Sequence, residues 1–205
     1  MLVLLNQLLK LVKLAKSGVK EAKVEEAILQ RIKEALEQGQ TVRSVELTDD
    51  EKAMIKEMNF LTAKPTLYIA NVGEDEVTTA DTDNEYVQRV KEYAATEGAE
   101  VVTISAKVES EIAELEDEDA REFLHELGLE ESGLEKLIKA AFDLLGLMTF
   151  LTAGTDECRA WTITKGTVAP KAAGKIHSDI ERGFIRAEIV NYDDLIAAGS
   201  VAAAR

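Results

Sequence analysis

Lys64-Pro-Thr-Leu-Tyr-Ile-Ala-Asn-Val-Gly-Glu-Asp75 is the stretch from which the fold can be read. Leu67, Tyr68, Ile69 and Ala70 form a short apolar run, which predicts a buried strand over 66–70. That strand runs straight into Asn71-Val72-Gly73-Glu74. Val87, Val90, Tyr93 and Ala94 then recur at helical spacing, predicting a helix over about 84–97 with Gly98 as its stop. Val101-Val102-Thr103-Ile104 predicts a second strand over 100–104, ending in Ser105-Ala106-Lys107. Strand, helix and strand in this order make a β-α-β unit, whose crossover sets the two strands parallel and right-handed. Ligands of such sheets bind beyond the carboxyl ends of the strands, where both of these loops fall.

Outward from this unit the pattern changes on both sides. Leu4, Leu5, Leu8, Leu9, Leu11, Val12 and Ala15 trace one apolar helical stripe, broken at Ser17-Gly18. Val24, Ala27, Ile28, Ile32, Ala35 and Leu36 trace a second, ending at Gly39, so an antiparallel helical hairpin is expected. Thr48-Asp49-Asp50-Glu51 reads as a capping box opening a third helix through about Asn59. Beyond the second strand, helices are expected over about 117–127 and 131–146, the latter with Leu134, Leu137, Ile138, Ala141, Leu144 and Leu145 on its stripe. Short strands follow at Thr149–Thr152 and Cys158–Ile163, then a helix, and Phe184–Val190 is expected to return as a strand. The fold class is therefore α/β and α+β. Its parts are a helical hairpin with a following helix over 1–62, an α/β part over 63–147 and a small α+β part over 148–205.

The chain has 205 residues, enough to bury a sizeable core. Its single cysteine, Cys158, excludes an internal disulfide and fits a reducing compartment; on a strand it is expected to be a small buried residue. No apolar run reaches a membrane span and no basic segment precedes one, so a cytoplasmic protein without a membrane partner is expected. The net charge of −15 argues against a surface that binds DNA or RNA throughout. The charge is uneven: Glu109–Glu131 holds eleven acids and one base, whereas Cys158–Ala187 holds six bases against two acids. That asymmetry marks the second segment as a local basic patch or, more simply, a solvated face.

Several patterns carry no chemistry. The two histidines, His125 and His177, have no Cys/His cluster around them, so zinc is not expected. No spacing supports a nucleophile with its base, and no catalytic residue is assigned. Ala169–Ile176 resembles a phosphate loop around Gly174-Lys175 but lacks its first Gly and its final Ser/Thr. Asp143-Leu144-Leu145-Gly146 matches a magnesium-sensing segment only in letters, and Trp161 reads most simply as core. A lone Asn-x-x-Glu also recurs by chance. Its place directly after a strand, with Ser-Ala-Lys after the next, is what gives it meaning. This is the arrangement by which P-loop GTPase-type domains hold a purine base. There the last residue is Asp, whose two oxygens accept the N1 and N2 hydrogens of guanine. Here Glu74 stands in place of that Asp and Val72 in place of the usual Lys, and both changes weaken the case for guanine.

Thr62-Ala-Lys-Pro-Thr-Leu-Tyr-Ile-Ala-Asn-Val72 with Glu74-Asp75 resembles the Obg-like ATPases of the YchF subfamily. So do Arg159-Ala-Trp-Thr-Ile163, Ala172-Ala-Gly-Lys-Ile-His-Ser-Asp179 and Gly183-Phe-Ile-Arg-Ala187, in the same order along the chain. The resemblance implies a P-loop domain with an inserted coiled-coil hairpin and a carboxyl-terminal TGS domain of β-grasp, ubiquitin-like fold. It also implies ATP with magnesium in the complete protein, a preference over GTP, and association with ribosomes. Carried onto this sequence, Asn71 and Glu74 become the base-specificity pair, and Val72 faces the base with its backbone. Ser105, Ala106 and Lys107 close the pocket. Lys171, Lys175, His177 and Arg182 become candidate ribosome- or RNA-facing residues. The family's phosphate loop and switch segments are not among these residues, and its last β-grasp strand is expected beyond Arg205. Two readings follow: a part of an ATP hydrolase that is inactive alone, or a non-enzymatic ribosome-binding module.

Overall fold

The computed structural model describes residues 20–154 and 157–204. The first of the two expected hairpin helices, over residues 4–15, lies outside the described residues. The chain divides into two compact units, Met1–Leu144 and Leu145–Arg205.

The first unit opens with helix α1 (Lys20–Glu37). Its buried positions Ala22, Ile28, Leu29, Ile32 and Ala35 follow the 3.6-residue repeat. Val24, which shares the sequence stripe, is exposed. Ile28, Leu29 and Ile32 pack with Val42 and Ile55, flanked by Leu36, Leu47, Met58 and Phe60. Val42 belongs to a 3-10 turn (Val42–Ser44), and Ile55 ends helix α2 (Asp49–Ile55). The capping box at the start of α2 forms as expected: Glu51 N–H donates to Thr48 Oγ1, and Thr48 N–H donates to Glu51 Oε2. The helix is shorter than predicted, because a 3-10 turn (Lys56–Met58) and left-handed Asn59 close it.

Strand β1 (Leu67–Asn71) pairs in parallel with β2 (Glu100–Ile104), in the register Leu67↔Glu100 to Asn71↔Ile104. Between them lie a short helix α3 (Ala80–Asp83) and the crossover helix α4 (Glu85–Thr96). Asn84 caps α4, its Oδ1 accepting from the N–H groups of Tyr86 and Val87. Val87 and Ala94 face the sheet and are buried, as the spacing predicts. The expectation of a buried β1 needs correction: only Ala70 is buried, and Ile69 is 50% exposed. Among the described residues β1 has β2 as its single partner, so its other edge and part of one face stay open.

After β2 come α5 (Ala106–Ile112), α6 (Asp117–Glu126) and α7 (Gly133–Leu144). Helix α7 packs on β2 and β1. Its buried positions are Gly133 and Ala140, while Leu134, Ile138 and Leu145 of the predicted stripe are exposed. The helix lies close to the sheet through its small residues, and this rotates the leucine side partly outward.

The second unit contains the antiparallel pair β3 (Leu147–Ala153) and β4 (Cys158–Thr164), with Phe150 opposite Trp161. Helices α8 (Ala169–Ile176), α9 (Ser178–Arg182) and α10 (Tyr192–Ala198) follow. Three expectations fail here. Cys158 is exposed rather than buried, because it starts an exposed strand end. Trp161 is not core: its ring is half-buried, with Nε1 donating to Thr152 Oγ1 at 2.9 Å and the Arg159 guanidinium 4.4 Å from the ring centroid. Phe184–Val190 is not a strand: among the described residues it joins neither sheet, and Ile185 and Ile189 are exposed. Alternating apolar residues make a strand only where a sheet edge receives them. Helix α10 was not anticipated, although Asn191 caps it by accepting from Asp193 N–H.

A charged network fastens the helical segment to the sheet inside the first unit. Arg43 Nη2 donates to Glu97 Oε2 at 2.5 Å, and Tyr68 Oη donates to the same oxygen at 2.8 Å. Tyr93 Oη lies 3.4 Å from Glu97 Oε1, and its ring meets that of Tyr68 edge-on at 6.0 Å. Hydrogen bonds from Arg43 and Tyr68 hold the Glu97 carboxyl below the ordinary range. Asp81 is held low by the Thr103 hydroxyl and Lys91, and Glu51 by the Thr48 backbone and then Arg31. A carboxylate with a depressed folded pKa stabilises fully above its unfolded value and loses that contribution as pH falls through the folded one. Thermal unfolding should therefore be nearly independent of pH between about 5 and 8 and fall steeply below about pH 4. A melting temperature that rises on acidification would contradict this network.

Candidate functional site

Two turns at the carboxyl ends of β1 and β2 come together. The register places Asn71 opposite Ile104, and Val72 N–H donates to Ile104 O at 2.9 Å, extending the pairing one residue into the first turn. Asn71 Oδ1 accepts from the backbone N–H of Ala106 at 2.9 Å, joining the turns through one side chain. That bond uses one lone pair of the oxygen and leaves both NH2 hydrogens available to a further partner. Lys107 Nζ lies 2.6 Å from Glu74 Oε2 and 3.8 Å from Glu111 Oε1, so an ion pair links the turns a second time. The Glu74 carboxylate, ahead of that of Glu111, raises the Lys107 pKa, and the ammonium stays charged at neutral pH.

Each position has a local cause. Gly73 is extended and leads into a 3-10 turn (Glu74–Glu76), which brings Glu74 back toward the sheet end. Ser105 precedes α5 and is 1% exposed, and its Oγ is buried with no hydrogen-bond partner among the described residues. A hydroxyl in that state is uncommon, since buried polar groups are nearly always paired. Val108, one turn on, is fully buried and anchors α5.

One contributor was not visible in the motif. Glu109 accepts from Gly133 N–H at 2.7 Å and Leu134 N–H at 3.0 Å, so it caps α7. In the sequence Glu109 is one acid of the run Glu109–Glu131, with nothing beside it that marks a cap. Gly133 itself sits against Ile104, and a Cβ there would lie 2.7 Å from Ile104 Cγ2 and 2.9 Å from Ile104 Cβ. The signal was present as Ser132-Gly133-Leu134-Glu135, whose Ser132 and Glu135 form a second capping box.

The six predicted base-site residues, Asn71, Val72, Glu74, Ser105, Ala106 and Lys107, thus lie at one end of one sheet. The four candidate basic-patch residues lie in the second unit and are largely occupied. Lys171 pairs with Glu181, and Arg182 Nη2 lies 2.5 Å from Asp179 Oδ1. His177 Nδ1 accepts from Asp179 N–H, capping α9, which places the neutral ring's proton on Nε2. Lys175 closes the last turn of α8. Among the described residues no group of three or more metal-ligating side chains gathers, and no helix is long and apolar enough to cross a membrane.

A parallel β-α-β unit with an Asn-x-x-acid turn bonded to a Ser-Ala-Lys turn places the first unit among α/β domains of the P-loop GTPase superfamily. Comparison with known proteins then narrows the class. Residues 147–205 match the model of the carboxyl-terminal YchF GTPase family, described as a protein of unknown function (DUF933). The chain is 55% identical over 193 residues to the ribosome-binding ATPase YchF of Bacillus subtilis, covering 94% of this chain and 52% of that protein. It is 52% identical over 187 residues to the ribosome-binding ATPase YchF of Haemophilus influenzae, covering 91% and 50%. The solved structure of the Schizosaccharomyces pombe YchF GTPase superimposes with a TM-score of 0.76 at 30% identity, covering 98% of this chain and 58% of that one. Along nearly its whole length the chain is similar to proteins of the YchF family. It spans about half the length of the curated relatives it matches.

Proposed function

We propose that this chain supplies the base-reading part of an ATP site and a ribosome-facing part of a YchF-type ATPase. The observation that carries this reading is the bond from Ala106 N–H to Asn71 Oδ1, which sets both base-reading turns side by side. The names of the relatives, ribosome-binding ATPases, support ATP and the ribosome as partners and a cytoplasmic setting. In this reading α1 belongs to a coiled-coil hairpin within 1–62, and 63–147 is the carboxyl-terminal half of the nucleotide domain. Residues 148–205 form a TGS-like, β-grasp segment. Magnesium would sit on the phosphates, whose grip requires a glycine-rich loop with Lys and Ser/Thr that is not found in this sequence.

The chemistry open to these residues is recognition, without phosphoryl transfer. The Asn71 amide offers its NH2 to purine N7, and Glu74 offers a carboxylate oxygen to the adenine amino group. Contacts of this kind are worth about 1–3 kcal/mol, whereas even millimolar binding needs about 4 kcal/mol. The isolated chain should therefore show no ATP turnover and bind ATP at best in the millimolar range. Calorimetry giving a micromolar dissociation constant, or turnover above that of a blank, would refute this.

A second reading, a ribosome-binding module that uses no nucleotide, draws on the relatives' names and on Lys175, for which no ionic partner occurs among the described residues. If charge drives such docking, co-sedimentation with ribosomes should weaken as salt rises and when Lys171, Lys175 and Arg182 are replaced by Glu. Binding indifferent to both changes would leave the basic segment without a role. Nucleotide separates the readings, since only the first expects a response to it.

A further inference from the structure

Phe184–Val190 is neither helix nor strand in the folded chain, and every residue from Ile185 to Val190 is exposed. Ile185 and Ile189 are apolar side chains left almost wholly in solvent. Among the described residues the backbone groups of Ile185, Arg186, Ala187, Ile189 and Val190 have no hydrogen-bond partner. Backbone groups so placed are an open template for another strand. The segment also complements its own reverse. Antiparallel pairing of two copies centred on Ala187 sets Phe184 opposite Val190, Ile185 opposite Ile189 and Arg186 opposite Glu188, each twice. Apolar pairs and opposite charges facing each other across strands both favour pairing. A slip of two residues brings Arg186 against Arg186 or Glu188 against Glu188, and a slip of one sets Ile185 or Ile189 against a charge. One register is therefore preferred.

We propose that Phe184–Val190 is a self-pairing edge on which a second copy of this chain docks, the two segments forming an antiparallel ribbon about a twofold axis at Ala187. The partner is this chain itself, because a twofold contact requires a surface complementary to its own image, and this sequence supplies one. The distribution of charge allows the approach. Residues 145–205 hold seven bases and seven acids, so the net charge of −15, which would drive copies apart, resides in the first unit. In the ribbon Ile185, Ala187 and Ile189 share one face, while Arg186 and Glu188 share the other. Glu188 can accept Arg186 of the second copy beside a neighbour in its own chain, since a carboxylate has several acceptor sites. Seven residues a side bury less than a standard interface, so the dimer is weak and depends on concentration.

The test is sedimentation equilibrium of the whole chain over about 10 μM to 1 mM, with amide exchange of residues 185–190 followed across the same range. The apparent mass should climb toward that of two chains, and these amides should slow as concentration rises. Arg186→Glu and Glu188→Arg each turn both cross-strand ion pairs into repulsions and should weaken association by about tenfold or more. Mixing the two single variants should restore it, because each then offers the charge the other lacks. The double variant Arg186→Glu/Glu188→Arg should associate with itself as the wild type does. Unshifted amides in β3 and β4 verify that each variant is folded. A monomer at every concentration overturns the proposal. Association that neither single variant weakens places the contact on another surface and overturns it too. So does protection of these amides that is independent of concentration, because the segment then pairs within its own chain.

Discussion

Ile32→Ala is expected to lower the unfolding free energy of the first unit by about 2–5 kcal/mol, the range for emptying a well-packed core position. Ile32 is wholly buried at the centre of the cluster that joins α1 to Val42 and Ile55. Leu29 and Ile28 flank it, equally inaccessible, and they cannot close around the carbons lost beyond Cβ without moving α1. Denaturant melts followed by far-UV circular dichroism read the effect directly. Ile32→Val, which removes one methyl, should cost about 0.5–1.5 kcal/mol and calibrates the scale. Equal losses for the two substitutions would mean that the site collapses freely and that this cluster is not packed as described. Because the Arg43–Glu97–Tyr68 network ties the same segment to β1, the Ala substitution should also speed amide exchange in β1.

Gly133→Ala has the second large consequence, and it bears on the site. An added Cβ meets Ile104 Cγ2 at 2.7 Å, Ile104 Cβ at 2.9 Å and Glu109 Oε1 at 2.9 Å. Ile104 Cβ hangs directly on the β2 backbone, one residue before Ser105, and cannot swing aside as the tip of a long side chain could. Either α7 retreats from the sheet or the end of β2 shifts, and overpacking of this sort costs about 1–3 kcal/mol. The expected result is a destabilised first unit together with amide shifts at Ser105 and Ala106, remote in sequence from the substitution. Glu109→Gln removes charge from the cap of α7 without adding volume, and should destabilise less while leaving those two amides nearly in place. If Gly133→Ala is neutral, α7 does not set the position of the Ser-Ala-Lys turn.

Part of this was readable from residue types alone because the cause was local. The capping box at Thr48 needs only two side chains three residues apart, and it forms where the letters place it. Strand β2 and helix α4 lie where the run Val101–Ile104 and the helical spacing put them, because one buried face is enough to fix each. The burial of β1, the outward turn of Leu134 and Ile138, and the fate of Phe184–Val190 were misread for a common reason. Each depends on which surface, if any, lies opposite, and apolar letters do not carry that information. Glu109 illustrates the converse: a residue in an acidic run became the cap of a helix more than twenty positions away.

For the site, the sequence by itself determined the residue types: an amide, an acid, a hydroxyl and a lysine, each just past the end of a strand. These follow from short-range rules, since a turn after a strand fixes where its own side chains start. Only the tertiary structure decided that Asn71 spends its oxygen on Ala106, that Lys107 holds one oxygen of Glu74, and that Ser105 Oγ is left without a partner. Those outcomes depend on the register Asn71↔Ile104, which brings residues about thirty-five positions apart within hydrogen-bonding reach. A pairing register is fixed by burial on the sheet face and by the helix packed against it, and neither is a property of any one segment.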